Sequence, residues 1–301
     1  MNAATHVLLL TGYATTVATC APRLLSWSNL PRRSPALALA LWHMSIGSAG
    51  FAIGLAALKL VSAARYLPIG RDEPHDHGNS PTETLVGVLI GLLILAFAST
   101  RLVLAARRLT RARRSTRERH LELLSVLGRH DPDLDATVVP SVTAAAYCVA
   151  GTRQVVITDR AVRLLEPRQI SAVLAHERAH LAGRHHLIVG WAGLLVAAFP
   201  GIAVLQRLRE ATSHLVELLA DDTARRLVDG SSLATAIVVL GRDTPNGSLA
   251  ATGGQTLDRV ERLLDPPPER WSPAVAAVSA LPPFLVGTPL LLATLPTNAF
   301  F

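Results

Sequence analysis

Lysine and cysteine are scarce in this chain of 301 residues, and each scarcity argues against a class of function. Lys59 is the only lysine, so arginine supplies nearly all of the positive charge behind the net value of +7. The arginines cluster beside apolar runs, which is typical of membrane topology signals and argues against a nucleic-acid surface. The two cysteines, Cys20 and Cys148, form neither a disulfide framework nor a CxxC metal motif. Both lie in apolar stretches, so we expect two buried thiols.

Charged residues are also scarce. They make up 17% of the chain, against about 25% in a typical soluble protein. Hydrophobic residues make up 50%, and the mean hydropathy is +0.35. This composition argues against a soluble domain and predicts an integral membrane protein. No basic segment precedes the first apolar run, so we do not expect a cleaved signal peptide.

Four apolar segments are long enough to cross a bilayer. A helix needs about 20 predominantly apolar residues to span ~30 Å of hydrocarbon. We therefore predict four transmembrane helices, over residues 5–24, 36–58, 85–106 and 274–295. The second of these contains Gly50-x-x-x-Gly54, a small-residue pattern that favours close packing between helices.

The distribution of arginine predicts the orientation of these helices. Eight arginines lie between positions 101 and 119, whereas the loop of residues 65–84 holds two arginines and four acidic residues. Cytoplasmic loops carry the excess of basic residues. We therefore expect the N-terminus outside the cell and the segment after the third helix in the cytoplasm. We also expect residues 107–119 to continue as a helix along the anionic inner leaflet.

A metal-binding motif, His176-Glu177-x-x-His180, lies within an apolar helical segment at residues 172–182. On an α-helix, positions i and i+4 share one face, so two imidazoles can bind one Zn²⁺ at about 2.0–2.1 Å each. Glu177 would lie beside the open coordination position and act as general base, then general acid. The alternative is a chance match, which we expect in roughly one or two of every hundred chains of this length.

A catalytic zinc needs a third protein ligand, and Glu217 is the best candidate. His214, Glu217 and Asp221 are spaced three and four apart, so a helix places them on one face. Asp221 would accept the free N–H of a ligand histidine and fix its tautomer. His214 and Arg225 are candidate donors to the oxyanion, and the sequence does not choose between them. The alternative interpretation is a solvated acidic face on an amphipathic helix.

Three further segments are predicted to surround this site. Residues 143–150 and 154–158 are typical of a β-hairpin, whose exposed edge would pair with an extended substrate. The apolar run that follows the motif is too short to cross a membrane before Pro-Gly interrupts it. Because Glu217 must return to the same metal, we predict that residues 187–205 form a hairpin that dips into the inner leaflet. Residues 257–264 are predicted to form a short amphipathic helix.

Three stretches give the chain a resemblance to integral-membrane gluzincin peptidases, at residues 155–165, 170–181 and 216–222. It resembles most the peptidase domains of bacterial β-lactam sensor-transducers, peptidase family M56, and next the HtpX-like and CAAX-prenyl-protease-like peptidases of family M48. The resemblance covers residues 140–265 well. It implies a zinc endopeptidase with the ligands His176, His180 and Glu217 and the catalytic Glu177. The sensors carry an extracellular sensing domain after their last membrane helix, whereas this chain stops near that point, so we do not expect antibiotic sensing.

The predicted fold is a mostly α-helical membrane protein with about four transmembrane helices and a cytoplasmic α+β domain. Residues 1–106 hold three spans, residues 107–270 the zinc peptidase domain, and residues 271–301 the last span and a short tail. We predict one Zn²⁺ per chain in a multi-pass protein of a bacterial cell membrane. By resemblance, its partners are the lipid bilayer and a substrate: a cytoplasmic regulator such as a transcriptional repressor, a membrane protein, or the chain itself. The expected role is in signalling or protein quality control, and no nucleic acid is expected.

Two other functions fit parts of the sequence. A metal-stabilised membrane adaptor would need the zinc ligands but not Glu177, whose presence therefore favours an enzyme. A metal or solute transporter could use His43 and the segment His75-Asp76-His77. However, ionisable residues do not recur through the predicted spans as a transport relay requires. We consider both alternatives weaker than the peptidase.

Overall fold

A computed structural model describes residues 3–62, 81–243, 253–267 and 280–295. The helices are α1 (Ala3–Trp27), α2 (Leu30–Arg33), α3 (Pro35–Ser62), α4 (Pro81–Leu127), α5 (Asp159–Leu164), α6 (Pro167–Ala182), α7 (His185–Ala198), α8 (Ala203–Ala224), α9 (Gly230–Arg242), α10 (Gly253–Leu264) and α11 (Leu281–Thr294). The strands are β1 (Arg129–Asp131), β2 (Ala136–Val139), β3 (Ala146–Cys148) and β4 (Val155–Thr158). The segment His75-Asp76-His77 and the start of the predicted last span lie outside the described residues.

Two of the described helices are long and apolar enough to cross a membrane, namely α3 and the part of α4 from Thr82 to Leu127. A third candidate arises if α6 and α7, which are bent by 60° at their junction, are counted as one span. Helix α1 has 25 residues, but His6, Arg23 and five threonines make it less apolar. Helix α11 has 14 residues. A membrane protein is therefore supported, while the count of four spans stays a prediction.

Helix α4 is continuous over 47 residues, or about 70 Å at 1.5 Å per residue. The arginine-rich segment therefore extends along the axis of the apolar half. The expectation that residues 107–119 continue as a helix is confirmed, and their position along the inner leaflet stays a prediction. The segment also connects the apolar half of α4 to the sheet. For example, Arg117 Nη2 donates a hydrogen bond to the carbonyl of Gly151 at 2.9 Å.

Helices α1, α3 and α11 pack through small side chains. Leu10 and Ala14 of α1 meet Ala49 and Ala52 of α3 in one buried cluster, which α11 joins through Ala293. Small residues let helix backbones approach closely, as membrane helix interfaces require.

The outward face of α1 carries one of the two cysteines. Cys20 is exposed there and Cys148 is only partly buried, so the expectation of two buried thiols is wrong.

The four strands form one mixed sheet in the order β1-β2-β4-β3. Strands β3 and β4 are antiparallel, with Tyr147 opposite Val156, so the predicted β-hairpin is confirmed. Its turn contains Gly151 at φ +76°, a conformation that favours glycine. Strand β4 is fully buried and pairs with β2 in parallel. Strand β3 lies at the edge of the sheet.

Helix α6 carries the metal-binding motif and is capped at its N-terminus. Pro167 occupies its first turn, and Glu166 with Gln169 forms a capping box that satisfies free backbone N–H groups. One face of α6 packs against the sheet, where Val173 and Leu174 join the core around Ile157. Its other apolar residues pack with α8, α9 and α10. The motif is therefore held between the sheet and a layer of helices.

Helices α7 and α8 form the predicted hairpin of residues 187–205. Gly201, at φ +84°, allows the tight turn between them, and buried residues of both helices share one core with the start of α3. Arg101 Nε of α4 donates to the carbonyl of Ala198 at 2.8 Å, so the turn lies beside the end of the apolar half of α4. The hairpin returns Glu217 to α6. Its depth in the bilayer stays a prediction.

Candidate metal centre

Three side chains that could hold a metal converge between α6 and α8. The Nε2 atoms of His176 and His180 are 3.1 Å apart. Oε2 of Glu217 lies 3.4 Å from Nε2 of His176, and its Oε1 lies 3.4 Å from Nε2 of His180. Ligand atoms of a tetrahedral zinc at about 2.0–2.1 Å are roughly 3.4 Å apart. The spacing and the His₂Glu donor set therefore fit Zn²⁺, and among the described residues no other group of three such side chains is this close.

Both histidines leave Nε2 free for a metal because their Nδ1 atoms have other neighbours. Nδ1 of His176 lies 3.0 Å from Oδ1 of Asp221, one helical turn after Glu217, although the N–H is not aligned with that oxygen for a hydrogen bond in the metal-free site. Nδ1 of His180 lies 3.0 Å from Nδ1 of His185, where one ring nitrogen must donate to the other. Such contacts fix the tautomer and orientation of ligand histidines. The sequence predicted the position of Asp221 but not that of His185.

Arg259 of α10 completes the site and was not singled out from the sequence. Its guanidinium contacts both carboxylates on the inner face of α8. Nε and Nη2 lie 2.8 Å from the two oxygens of Asp221, and Nη1 lies 2.7 Å from Oε2 of Glu217. The predicted amphipathic helix at residues 257–264 is confirmed, and its two arginines face the acidic residues of α8. That complementarity was the available signal, although it does not specify a pairing.

The charges of the metal-free site are interdependent. Burial would raise the pKa of both carboxyls, but a hydrogen bond with His176 and the charge of Arg259 lower that of Glu217 to about 2. Two hydrogen bonds from Arg259 and the close approach of His176 similarly lower the pKa of Asp221 to about 2. Burial would lower the pKa of His176, but its contacts with the two carboxylates raise it to about 9. Burial lowers the pKa of His180 to about 4. In the metal-free site Glu217 and Asp221 are therefore ionised, and His176 holds a proton that a metal ion would displace.

Glu177 lies on the side of α6 that faces strand β3. Burial raises the pKa of its carboxyl to about 7 in the metal-free protein, and the positive charge of His176 opposes that rise. Hydrogen bonding with the backbone and thiol of Cys148, at the end of β3, also opposes it. Burial and the charge of Glu177 in turn raise the pKa of the Cys148 thiol to about 11. Glu177 is therefore placed between the metal ligands and the edge strand of the sheet.

The two oxyanion candidates both lie on α8 but have other partners. Nε2 of His214 lies 3.3 Å from Oδ2 of Asp258 on α10. Arg225 is the C-cap residue of α8, and its Nη1 lies 4.0 Å from Oδ1 of Asp222. His214 is one turn from Glu217, whereas Arg225 is two turns beyond it. Neither position tests a role in catalysis, which stays a prediction for both residues.

Comparison with known proteins supports a metallopeptidase. Residues 110–215 match the model of peptidase family M48. The matched segment contains the His176-Glu177-x-x-His180 motif and ends two residues before Glu217. No curated protein and no solved structure matches the chain. The match supports the M48 side of the predicted resemblance, while the closer likeness to family M56 stays a prediction.

Proposed function

We propose that this chain is a membrane-embedded, zinc-dependent endopeptidase of the gluzincin type. The convergence of His176, His180 and Glu217 within hydrogen-bonding distance of one another carries the proposal. The match to peptidase family M48 supports the reaction class. The apolar helices α3 and α4 support a membrane location.

His176, His180 and Glu217 would hold one Zn²⁺ per chain. When bound, zinc would polarise a scissile carbonyl and lower the pKa of water at the site toward about 7. The chain supplies the orientation: Asp221 and His185 hold the two imidazoles with Nε2 directed toward Glu217. Ligand groups held in advance lose less conformational freedom when the metal binds.

Glu177 would act as the general base and then as the general acid. Its carboxylate would accept a proton from the attacking water and deliver it to the leaving amine. Burial raises its pKa to about 7 in the metal-free protein, and a general base is most effective when its pKa is near the working pH. Glu177 does not belong to the group of three converging ligand atoms. Its proposed role is therefore proton transfer rather than metal binding.

Strand β3 is the proposed surface for the substrate backbone. It is one of the two edge strands of the sheet, and its last residue, Cys148, contacts Glu177. An extended peptide that adds to this edge would place its backbone beside the catalytic carboxylate. An extended or locally unfolded protein segment is thus the proposed substrate, rather than a folded domain.

We further propose that the site faces the cytoplasm, close to the inner leaflet. The excess of arginine at positions 101–119 motivates this orientation. The α7–α8 hairpin carries Glu217 back from a turn that lies beside Arg101. Substrates within reach would be a cytoplasmic regulator, such as a transcriptional repressor, a membrane protein, or the chain itself. The M56-like interpretation favours signalling, and the M48-like one favours protein quality control.

The test compares Glu177→Gln with Glu217→Gln in the full-length protein. Glu177→Gln should keep its zinc, because the side chain is not a proposed ligand. Its cleavage of the target should nevertheless fall by about 10²–10⁴-fold, the usual contribution of acid–base catalysis. Glu217→Gln should lose both metal and activity. Zinc content by metal analysis and cleavage products by mass spectrometry are measured together on each variant.

The outcomes separate an enzyme from an adaptor. Cleavage by zinc-loaded Glu177→Gln at the wild-type rate would show that the proposed mechanism is wrong. Wild-type protein that binds zinc but cleaves neither itself nor the products of neighbouring genes would favour a metal-stabilised adaptor. Wild-type protein without affinity for zinc would refute the metal centre itself.

A further inference from the structure

We infer that Arg259 is a positioning residue that sets the geometry of two of the three proposed metal ligands. Its guanidinium lies behind the site, where it contacts a carboxylate ligand and the carboxylate that orients a histidine ligand. The inference rests on the proposed metal centre but goes beyond it. Helix α10 contributes no ligand, but through Arg259 it would control the positions of the ligands.

The first step of the argument is the pairing with Asp221. The side chain of Asp221 is 1% exposed and that of Arg259 is 15% exposed. Both oxygens of Asp221 receive guanidinium N–H groups at 2.8 Å, and Oδ1 also lies 3.0 Å from Nδ1 of His176. A two-point fork fixes the plane of a carboxylate as well as its position. Arg259 therefore determines which way Asp221 presents Oδ1 to His176.

The second step is the contact with Glu217. Nη1 of Arg259 lies 2.7 Å from Oε2, which leaves Oε1 on the side of His180 at 3.4 Å. Arg259 thus holds one oxygen of the carboxylate, Oε2, which also lies 3.4 Å from Nε2 of His176, while Oε1 faces His180. The guanidinium is planar, so engagement of Asp221 and of Glu217 by one side chain fixes both carboxylates relative to each other. Glu217 and His176 are positioned by the same group.

A point charge in the same place would not fix the two carboxylates relative to each other. A lysine ammonium carries the same charge, but it has no planar fork and cannot reproduce the three directed contacts. The charge of Arg259 taken alone would oppose binding of a cation. The proposed benefit is therefore geometric, which separates it from simple neutralisation of the two carboxylates.

Arg262 supplies a matched control on the same helix. It lies one turn from Arg259 and forms a similar fork, with Nη1 and Nη2 at 2.6 and 2.8 Å from the oxygens of Asp222. Its Nε also donates to the carbonyl of Arg32 at 2.7 Å. Arg262 thus anchors α10 to α8 and to α2 without touching Glu217 or Asp221. A change at Arg262 tests the attachment of α10 separately from the positioning of the ligands.

The experiment measures metal binding by the full-length protein in detergent micelles, for wild type, Arg259→Gln, Arg259→Lys and Arg262→Gln. Zn²⁺ affinity is determined by competition with a chelating dye, and Co²⁺ loading is followed by its visible absorption, which reports ligand geometry. Both Arg259 variants should bind Zn²⁺ about 10–100-fold more weakly, the usual effect of losing a group that orients metal ligands. Their Co²⁺ spectra should also change. Arg262→Gln should keep the wild-type affinity and spectrum.

Each alternative result contradicts a different statement. Wild-type affinity in both Arg259 variants would refute the inference, as would an equal loss in Arg262→Gln, which would assign the effect to attachment of α10. Wild-type behaviour of Arg259→Lys alone would show that charge, not geometry, matters. Arg259→Lys keeps the buried charge of Asp221 compensated, so it serves if Arg259→Gln does not fold. Absence of metal binding by the wild type would instead refute the proposed metal centre.

Discussion

Replacement of Asp221 by asparagine should both destabilise the metal-free protein and weaken the metal site. Asparagine keeps the size of the side chain but removes its charge. Arg259 then loses its two-point partner, and one amide N–H₂ group faces a guanidinium that has no use for a donor. Nδ1 of His176, 3.0 Å from Asp221 in the native protein, loses its charged acceptor.

The expected cost follows from burial and charge. Asp221 is 1% exposed, and breaking a buried ion pair by removing one partner costs about 3–5 kcal/mol. The pKa of Asp221, which despite burial is lowered from 3.8 to about 2 mainly by Arg259, agrees in sign. Glu217 remains as a partner of Arg259, so we expect the lower end of this range. Asp221→Asn should thus lower the free energy of unfolding by about 3 kcal/mol and weaken zinc binding about 10–100-fold.

Asp222→Asn is the matched control. Asp222 is the next residue of α8 and pairs with Arg262, but its side chain is 27% exposed and does not contact the proposed ligands. It should lose less stability and keep its zinc affinity. Thermal unfolding of the metal-free proteins in detergent and zinc competition titrations give both quantities. Equal effects of the two substitutions on zinc affinity would refute the assignment of Asp221 to the metal centre.

Two further predictions concern the membrane part. Gly91→Ala should destabilise the contact of α3 with α4 by about 1–3 kcal/mol, since a Cβ at Gly91 would lie 2.5 Å from the carbonyl oxygen of Ala57. The control Gly87→Ala should be tolerated, because its Cβ would lie 3.7 Å from Leu60. Unfolding in detergent compares the stability of the two variants, and an equal loss of stability in both would contradict the packing. A single cysteine in residues 65–84 should react with a membrane-impermeant reagent on intact cells, and one in residues 241–255 should not; the reverse pattern would place the site outside.

Local spacing predicted those parts of the site that one helix can arrange. The i, i+4 relation of His176 and His180, and that of Glu217 and Asp221, is set by helical geometry before any tertiary contact forms. The turn at Gly201 and the need for Glu217 to return predicted the α7–α8 hairpin. The i, i+4 pairs depend only on residues that are near in sequence. The hairpin depends on one further requirement, that Glu217 return to the histidines, so the pattern of residue types was sufficient.

The continuity of α4 has a different physical origin. A run of arginines follows the apolar half of this helix without interrupting it. A helix bends sharply at proline, at glycine or where its hydrogen-bond ladder is interrupted, and residues 92–127 contain neither glycine nor proline. Charge predicts which side of a membrane a segment occupies, whereas backbone composition predicts whether the helix continues. The sequence therefore predicts that the helix continues, and its position relative to the inner leaflet stays a prediction.

The partners that the sequence did not reveal come from elements with no motif of their own. Arg259 lies 38 positions after Asp221, on a helix whose pattern indicated only an apolar face and a polar face. His185 follows the motif by a few residues, but its position depends on Arg184, which adopts φ +49° at the start of α7. Both side chains reach the site because buried residues dock their helices, Leu263 for α10 and Ala192 for α7. Hydrophobic packing therefore decides which charged side chains meet the metal ligands, and that choice depends on three-dimensional contacts that a single sequence does not encode in its local spacing.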